Sequence, residues 1–228
     1  MIEYYELTRK INRVKIFTAI RRRSGGDMMV ILYEVHDNLY INMTNKCPCA
    51  CTFCLRQTRD EMNNSGSLWL SREPGVDEVK AEFGKFNMDK YREVVFCGFG
   101  EPTERLDDVL EVCRFIKDKY NKTIRINTNG LSDLIHGKNT APMFEGLIDI
   151  VSISLNTPNK ERYLELTRSK FGIESFDAML RFAANVKNYV KEVILSTVST
   201  TLTEDEEKEC AAICDRIGVT YRIRPWED

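Results

Sequence analysis

A chain of 228 residues in which 43% are hydrophobic and 30% charged carries enough apolar material to bury a core as a single domain, which excludes a disordered protein. The net charge is −2, with Lys and Arg scattered along the chain, so general nucleic-acid binding through phosphate contacts is not expected. No apolar run reaches the roughly 20 residues of a membrane span, and the N-terminus lacks the order of a signal peptide; a cytoplasmic protein with no membrane attachment is expected.

Residues 1–27 are expected to form an N-terminal extension outside the natural fold, with one domain over 28–228. The stretch Ser24-Gly25-Gly26-Asp27-Met28-Met29 can be encoded by a purine-rich segment resembling a ribosome-binding site upstream of Met28 or Met29. The competing expectation is an amphipathic element packing Ile11, Val14, Ile16 and Phe17. Beyond it, His36 falls in a turn between two strands. Strands are expected at Leu39–Thr44, Glu93–Cys97, Thr123–Asn127, Asp149–Leu155, Glu192–Val198 and Val219–Arg224, alternating with helix-like runs. That alternation is the signature of a parallel sheet with crossover helices.

The helix after the second strand places Leu106, Val109, Leu110, Cys113 and Ile116 on one face. The last helix starts at a capping box of Thr203 and Glu206 and closes at Gly218; Cys210, Ile213, Cys214 and Ile217 form its apolar stripe. Those cysteines therefore read as core rather than as ligands. Periodicity does not separate an open barrel from a doubly wound sheet, but both place function at the carboxyl ends of the strands. The polar segments Asn45 to Cys54, Gly98 to Pro102, Asn127 to Gly130, and Ser154 with Asn156 fall there.

Eight cysteines in a reducing compartment point to metal or catalysis rather than to disulfides. Four lie in Cys47-Pro48-Cys49-Ala50-Cys51-Thr52-Phe53-Cys54. Structural zinc sites usually pair two separated knuckles, and no second pair follows; iron–sulfur clusters take thiolates from short loops of this kind.

Cys47, Cys51 and Cys54 in a CxxxCxxC pattern, with the aromatic Phe53 before the last thiol, resemble the radical SAM superfamily. So does Gly98-Phe99-Gly100-Glu101-Pro102, which is similar to the family's Gly-Gly-Glu turn with Phe99 in place of the usual first glycine. The resemblance implies an α/β fold, a partial (β/α)6 barrel open on one side. It implies a 4Fe-4S cluster on Cys47, Cys51 and Cys54 and reductive cleavage of S-adenosylmethionine to a 5'-deoxyadenosyl radical that abstracts hydrogen from a substrate. Phe53, Gly98, Gly100, Glu101, Asn127, Thr128, Asn129, Ser154 and Asn156 are the implied S-adenosylmethionine contacts, Glu101 receiving the ammonium group.

Cys49 departs from the pattern and is read as a bystander. The segments INTNG, LIHGK and VSISLN and the stretch from Arg168 to Gly172 look closest to the TatD-associated radical SAM proteins. A reducing partner such as flavodoxin or ferredoxin is implied. A glycyl-radical activase and an iron–sulfur electron carrier are the alternatives. Arg168, Arg222, His136 and Trp69 are candidates for touching substrate or the methionine carboxylate. Arg56 to Ser71, with its apolar Leu68-Trp69-Leu70, is read either as a lid over the substrate or as cover for the bottom of the barrel. The chain ends soon after the sixth strand, so a C-terminal domain with auxiliary clusters is not expected.

Overall fold

The computed structural model describes residues 29–226, so the expectations for residues 1–27 lie outside the described residues. Seven strands form one sheet in the order β1-β2-β3-β4-β5-β6-β7. They are β1 (Leu32–Val35), β2 (Asn38–Ile41), β3 (Glu93–Phe96), β4 (Thr123–Thr128), β5 (Ile150–Ser154), β6 (Glu192–Val198) and β7 (Thr220–Arg224).

The first pair is antiparallel, joined by a turn in which exposed His36 takes a φ of 50°. The other pairs are parallel. A doubly wound sheet reverses its direction of winding at a switch point, and this order never reverses. The sheet thus winds one way, and among the described residues β1 and β7 are its edges: six parallel strands make the expected open barrel, with an antiparallel strand added at one side.

Alternation along the strands decides the two faces. Leu39, Ile41, Val94, Phe96, Ile124, Ile126, Val151, Ile153, Val193 and Leu195 are buried in the main core under the helices. The intervening residues face the concave side and are largely polar; there Arg125 pairs with Glu93 at 2.9 Å. α2 (Leu106–Tyr120) buries its expected apolar face, and α6 (Glu204–Ile217) has the Thr203–Glu206 capping box and closes on left-handed Gly218. Cys113, Cys210 and Cys214 are fully buried, so the helix cysteines are core residues.

Asp149, one residue ahead of β5, ties this framework together at the amino ends of the strands. Its carboxylate accepts from Lys117 of α2, from Lys191 at 2.8 Å and from the Ile124 amide of β4 at 2.8 Å. Burial alone would push its pKa up, but these three donors outweigh burial and hold the carboxyl below its ordinary range. A carboxyl depressed in the folded state contributes stability above its unfolded pKa, and that contribution is lost as pH falls through the folded value. Asp149→Asn should therefore melt below the wild type at neutral pH, and the gap should close as the pH drops below about 4, as followed by thermal denaturation across pH.

Candidate functional site

Three loops converge at the carboxyl ends of β2, β3 and β4. The first runs from the end of β2 through the cysteine cluster. Its far side lies on the end of α4 (Lys160–Thr167): Ala50 N–H donates to the Thr167 carbonyl at 3.0 Å, Thr52 N–H to that of Leu166 at 2.9 Å, and Lys170 N–H to that of Pro48 at 2.9 Å. Arg168 makes this geometry possible as the left-handed cap of α4, with a φ of 46°. Its side chain is exposed.

The second loop carries the glycine turn. A Cβ on Gly100 would stand 2.3 Å from the Thr44 carbonyl oxygen and 2.6 Å from that of Lys46; one on Gly98 would stand 2.1 Å from Asn42 Oδ1. Both glycines let the turn pack closely against the start of the cysteine loop, Gly100 against its backbone and Gly98 against the Asn42 side chain, and Glu101 N–H donates to the Lys46 carbonyl at 2.8 Å to seal the contact. Phe99, at the departure from the family pattern, is buried with Leu68 and Tyr33.

Glu101 joins this turn to the third loop. Only 4% exposed, it accepts through Oε1 from Thr128 Oγ1 at 2.6 Å, Thr103 Oγ1 at 2.7 Å and Thr103 N–H at 3.1 Å, and through Oε2 from Asn129 N–H at 2.8 Å. Burial pushes its pKa up, and the bonds from Thr128, Asn129 and Thr103 oppose that rise. The Thr128 hydroxyl donates to this brace and accepts from Gly130 N–H at 3.1 Å. His136, the last residue of α3 (Ser132–His136), bonds through Nε2 to the Thr103 carbonyl at 2.8 Å, so its imidazole supports the same brace from behind.

The thiols sit beside this brace. Cys47, Cys51 and Cys54 are half-buried, and Cys49 is 4% exposed. Cys49 lies between Cys47 and Cys51: hydrogen bonding to Cys49 holds both neighbours' pKa values down against burial, and drives that of Cys49 up. Burial pushes up Cys54, with Arg56 opposing. The Asn129 side-chain amide stands 4.0 Å from Cys47 Sγ and 3.9 Å from Cys49 Sγ. The Arg56 guanidinium reaches the carbonyls of Asn45 and Cys49 at 3.4 Å and of Phe99 at 3.5 Å, spanning the first two loops. Among the described residues no group of three or more His, Cys, Asp or Glu is arranged to hold a single metal ion.

Other expected residues fall farther out. Asn127 and Ser154 are half-buried on the concave face, and Asn156, in the left-handed region at a φ of 65°, donates from Nδ2 to the Ser154 carbonyl at 3.4 Å. Phe53 is 45% exposed on the cysteine loop. Arg222 is registered with Ser196 of β6, itself registered with Ser154 of β5, and lines a cavity of about 600 Å³ together with Arg92, Glu93, Arg125 and Glu192.

The apolar segment after the cysteine loop does not cover the barrel bottom; it packs at the carboxyl ends of β2 and β3. Leu68 and Leu70 are buried, and the side chains of Asn42 and Asn45 bond their carbonyls at 2.7 Å. Trp69 between them is 42% exposed and meets Phe99 edge-on at 5.1 Å. Strand-like alternation splits the three residues into two anchors and one outward-facing ring.

A match to the Radical SAM superfamily model spans residues 41–217. The chain belongs to the Radical SAM superfamily. Curated relatives include a probable GTP 3',8-cyclase of Methanocaldococcus jannaschii, 33% identical over 59% of this chain and 41% of the relative, and one of Thermococcus kodakarensis, 29% identical over 82% and 55%. A probable dual-specificity RNA methyltransferase RlmN 1 of Protochlamydia amoebophila is 27% identical over 58% of this chain and 36% of the relative. The chain thus spans about half or less of the length of these relatives. Among solved structures, Streptococcus suis SuiB bound to S-adenosylmethionine superposes with a TM-score of 0.61 at 16% identity, over 83% of this chain and 40% of that one. The anSMEcpe structure with bound AdoMet gives 0.59 at 20% identity, over 83% and 51%. These likenesses establish the shared fold.

Two variant pairs test the site's construction by thermal or denaturant unfolding. Glu101→Gln turns one acceptor oxygen into a donor facing donors and should cost about 1–3 kcal/mol, and Gly100→Ala should cost at least as much through backbone overlap. Leu68→Ala should lose about 2–5 kcal/mol, whereas Trp69→Ala should lose only about 1 kcal/mol, the worth of its edge contact with Phe99.

Proposed function

We propose that this chain is a radical SAM enzyme in which Cys47, Cys51 and Cys54 hold a 4Fe-4S cluster and S-adenosylmethionine binds beside it at the carboxyl rim. The observation that carries the proposal is the convergence of the cysteine loop, the glycine turn and the Asn127–Gly130 turn on one buried carboxylate, Glu101, next to the half-buried thiols. The donor set suits the cluster: thiols already lowered in pKa at Cys47 and Cys51, with the neutral amide donor of Asn129 alongside. When bound, the cluster supplies the electron that cleaves S-adenosylmethionine reductively to a 5'-deoxyadenosyl radical, which abstracts hydrogen from the substrate.

This chain's own residues bind and orient. Glu101 is a buried negative charge beside the thiols, and Oε2 carries a single protein donor where Oε1 carries three, so its remaining capacity suits the ammonium of the methionine moiety. Asn127, Asn129, Ser154 and Asn156 offer donors and acceptors suited to ribose hydroxyls and the carboxylate. Phe53 offers a flat apolar face beside Cys54. The concave face below, with Arg125, Glu93 and Arg222, suits a polar substrate.

Within the superfamily we group the chain with the TatD-associated proteins on INTNG, LIHGK, VSISLN and residues 168–172, all of which border this site. Residues 28–228 are assigned as the radical SAM domain, with 1–27 outside it. Eight free cysteines favour a cytoplasmic location, where a flavodoxin or ferredoxin would supply electrons; no helix among the described residues is long and apolar enough to cross a membrane.

Anaerobic reconstitution with iron and sulfide tests the assignment. The wild type should take up one 4Fe-4S cluster and yield 5'-deoxyadenosine on reduction with S-adenosylmethionine. Cys47→Ala, Cys51→Ala and Cys54→Ala should each lose the cluster while Cys49→Ala keeps it. A cluster that survives Cys47→Ala but is lost in Cys49→Ala would overturn the ligand set.

A further inference from the structure

Arg56 lies two residues past Cys54, in the short turn Leu55–Gln57 that follows the last thiol of the cysteine loop. Local bonds fix that turn: Gln57 N–H donates to the Cys54 carbonyl at 2.9 Å, and the Gln57 side-chain amide donates to the Cys51 carbonyl at 2.5 Å. Leu55 and Gln57 are exposed, while Arg56 between them is half-buried and turned back over the loop. There Nη1 reaches the Asn45 carbonyl and Nη2 the Cys49 carbonyl, both at 3.4 Å. Those carbonyls stand on either side of Cys47, so one guanidinium spans the loop from beyond its last thiol to both flanks of its first. A third contact, Nη1 to the Phe99 carbonyl at 3.5 Å, reaches the glycine turn.

This clamp does not account for the charge. All three partners are neutral carbonyls, and among the described residues no ion pair includes Arg56. The next acids along the chain, Asp60 and Glu61, are exposed and make no pair with it. Withdrawing a guanidinium from water without a carboxylate costs free energy, and arginine cannot shed its proton to escape that cost. The loop therefore carries a fixed positive charge, held where its backbone surrounds Cys47. A 4Fe-4S core on three thiolates is a net anion, and reduction by one electron makes it more negative; net charge is one of the quantities that set a cluster's potential. A cation fixed beside it stabilises the reduced form more than the oxidised one, and this attraction acts over distance without contact to sulfur.

We propose that Arg56 is a positioning residue for the cluster: it clamps the cysteine loop to the glycine turn and fixes a permanent positive charge beside the thiolates, which raises the reduction potential. This rests on the reading that Cys47, Cys51 and Cys54 hold a 4Fe-4S cluster. The two parts of the role separate by chemistry. Clamping needs a planar fork that meets carbonyls on both loops, which Lys lacks; the charge needs only a cation, which Lys supplies.

Arg56→Gln and Arg56→Lys, each reconstituted as the full-length chain beside wild type, tell the charge from the clamp. Both should load iron and sulfide, since the α4 contacts and the bond from Glu101 N–H to the Lys46 carbonyl still hold the loop. The EPR-monitored midpoint should move to more negative potential in Arg56→Gln and stay near the wild-type value in Arg56→Lys. Equal midpoints in wild type and Arg56→Gln, or the same negative shift in both variants, would overturn the electrostatic role while leaving the cluster reading intact. If Arg56→Gln alone fails to load and Arg56→Lys loads at the wild-type midpoint, the site requires the charge, as proposed; if both variants fail to load, Arg56 is a clamp only and the electrostatic role falls. A wild type that takes up no iron and sulfide would overturn the cluster reading and this proposal with it.

Discussion

The Glu101 carboxylate is the point on which this site depends. A buried carboxylate is tolerated only when its oxygens are hydrogen-bonded, and here the donors come from two different strand ends, Thr103 beyond β3 and Thr128 with Asn129 at the close of β4. Satisfying that one group fixes the spacing of the two loops. Because Glu101 N–H is bonded to the Lys46 carbonyl, the start of the cysteine loop is held in the same arrangement. The requirement for glycine at positions 98 and 100 follows from that approach, since a side chain at either would overlap Asn42 or the Thr44 and Lys46 carbonyls.

The cysteine loop is consequently supported from several directions by groups of different chemistry. The glycine turn meets it through backbone, the end of α4 accepts two of its amides while Lys170 just beyond donates to the Pro48 carbonyl, and Arg56 spans from it to the Phe99 carbonyl. None of these contacts uses a thiol. The loop's shape is therefore set by amides and carbonyls, which leaves the Cys47, Cys51 and Cys54 side chains available for ligation. Rigid support of ligating side chains by groups that do not ligate is what distinguishes a built site from a chance cluster of thiols.

Much of this was legible in the sequence, for physical reasons that differ from segment to segment. The six parallel strands and the faces of α2 and α6 were readable because burial imposes strict periodicity there. The Thr203–Glu206 box was readable because its bonds are local. β1 was visible only as one side of the His36 turn, since four residues carry too little alternation to stand alone. The direction of winding was closed to periodicity, because strand order is a long-range property; the family resemblance supplied it. Around the site, the spacing of Cys47, Cys51 and Cys54 and the turns at Gly98 and Asn127 marked the loops that the structure brings together. The contacts among these residues were not legible: that Thr128 donates to Glu101, that His136 bonds the Thr103 carbonyl and that Arg168 caps α4 in a left-handed conformation are properties of the folded chain rather than of local composition.

The contact between the cysteine loop and the end of α4 joins parts of the chain that are made at very different moments. Three strands, β3, β4 and β5, lie between them in the order of synthesis, and each of these can pair with its predecessor as soon as it emerges, because sheet order follows chain order. The thiols therefore leave the ribosome before the helix that will seat them. During that interval the loop has only its near-side neighbours and remains accessible from the flank that α4 later covers. Arrival of α4 is then the event that closes the loop, so the last support of the cysteine loop is the one made farthest from it in the chain.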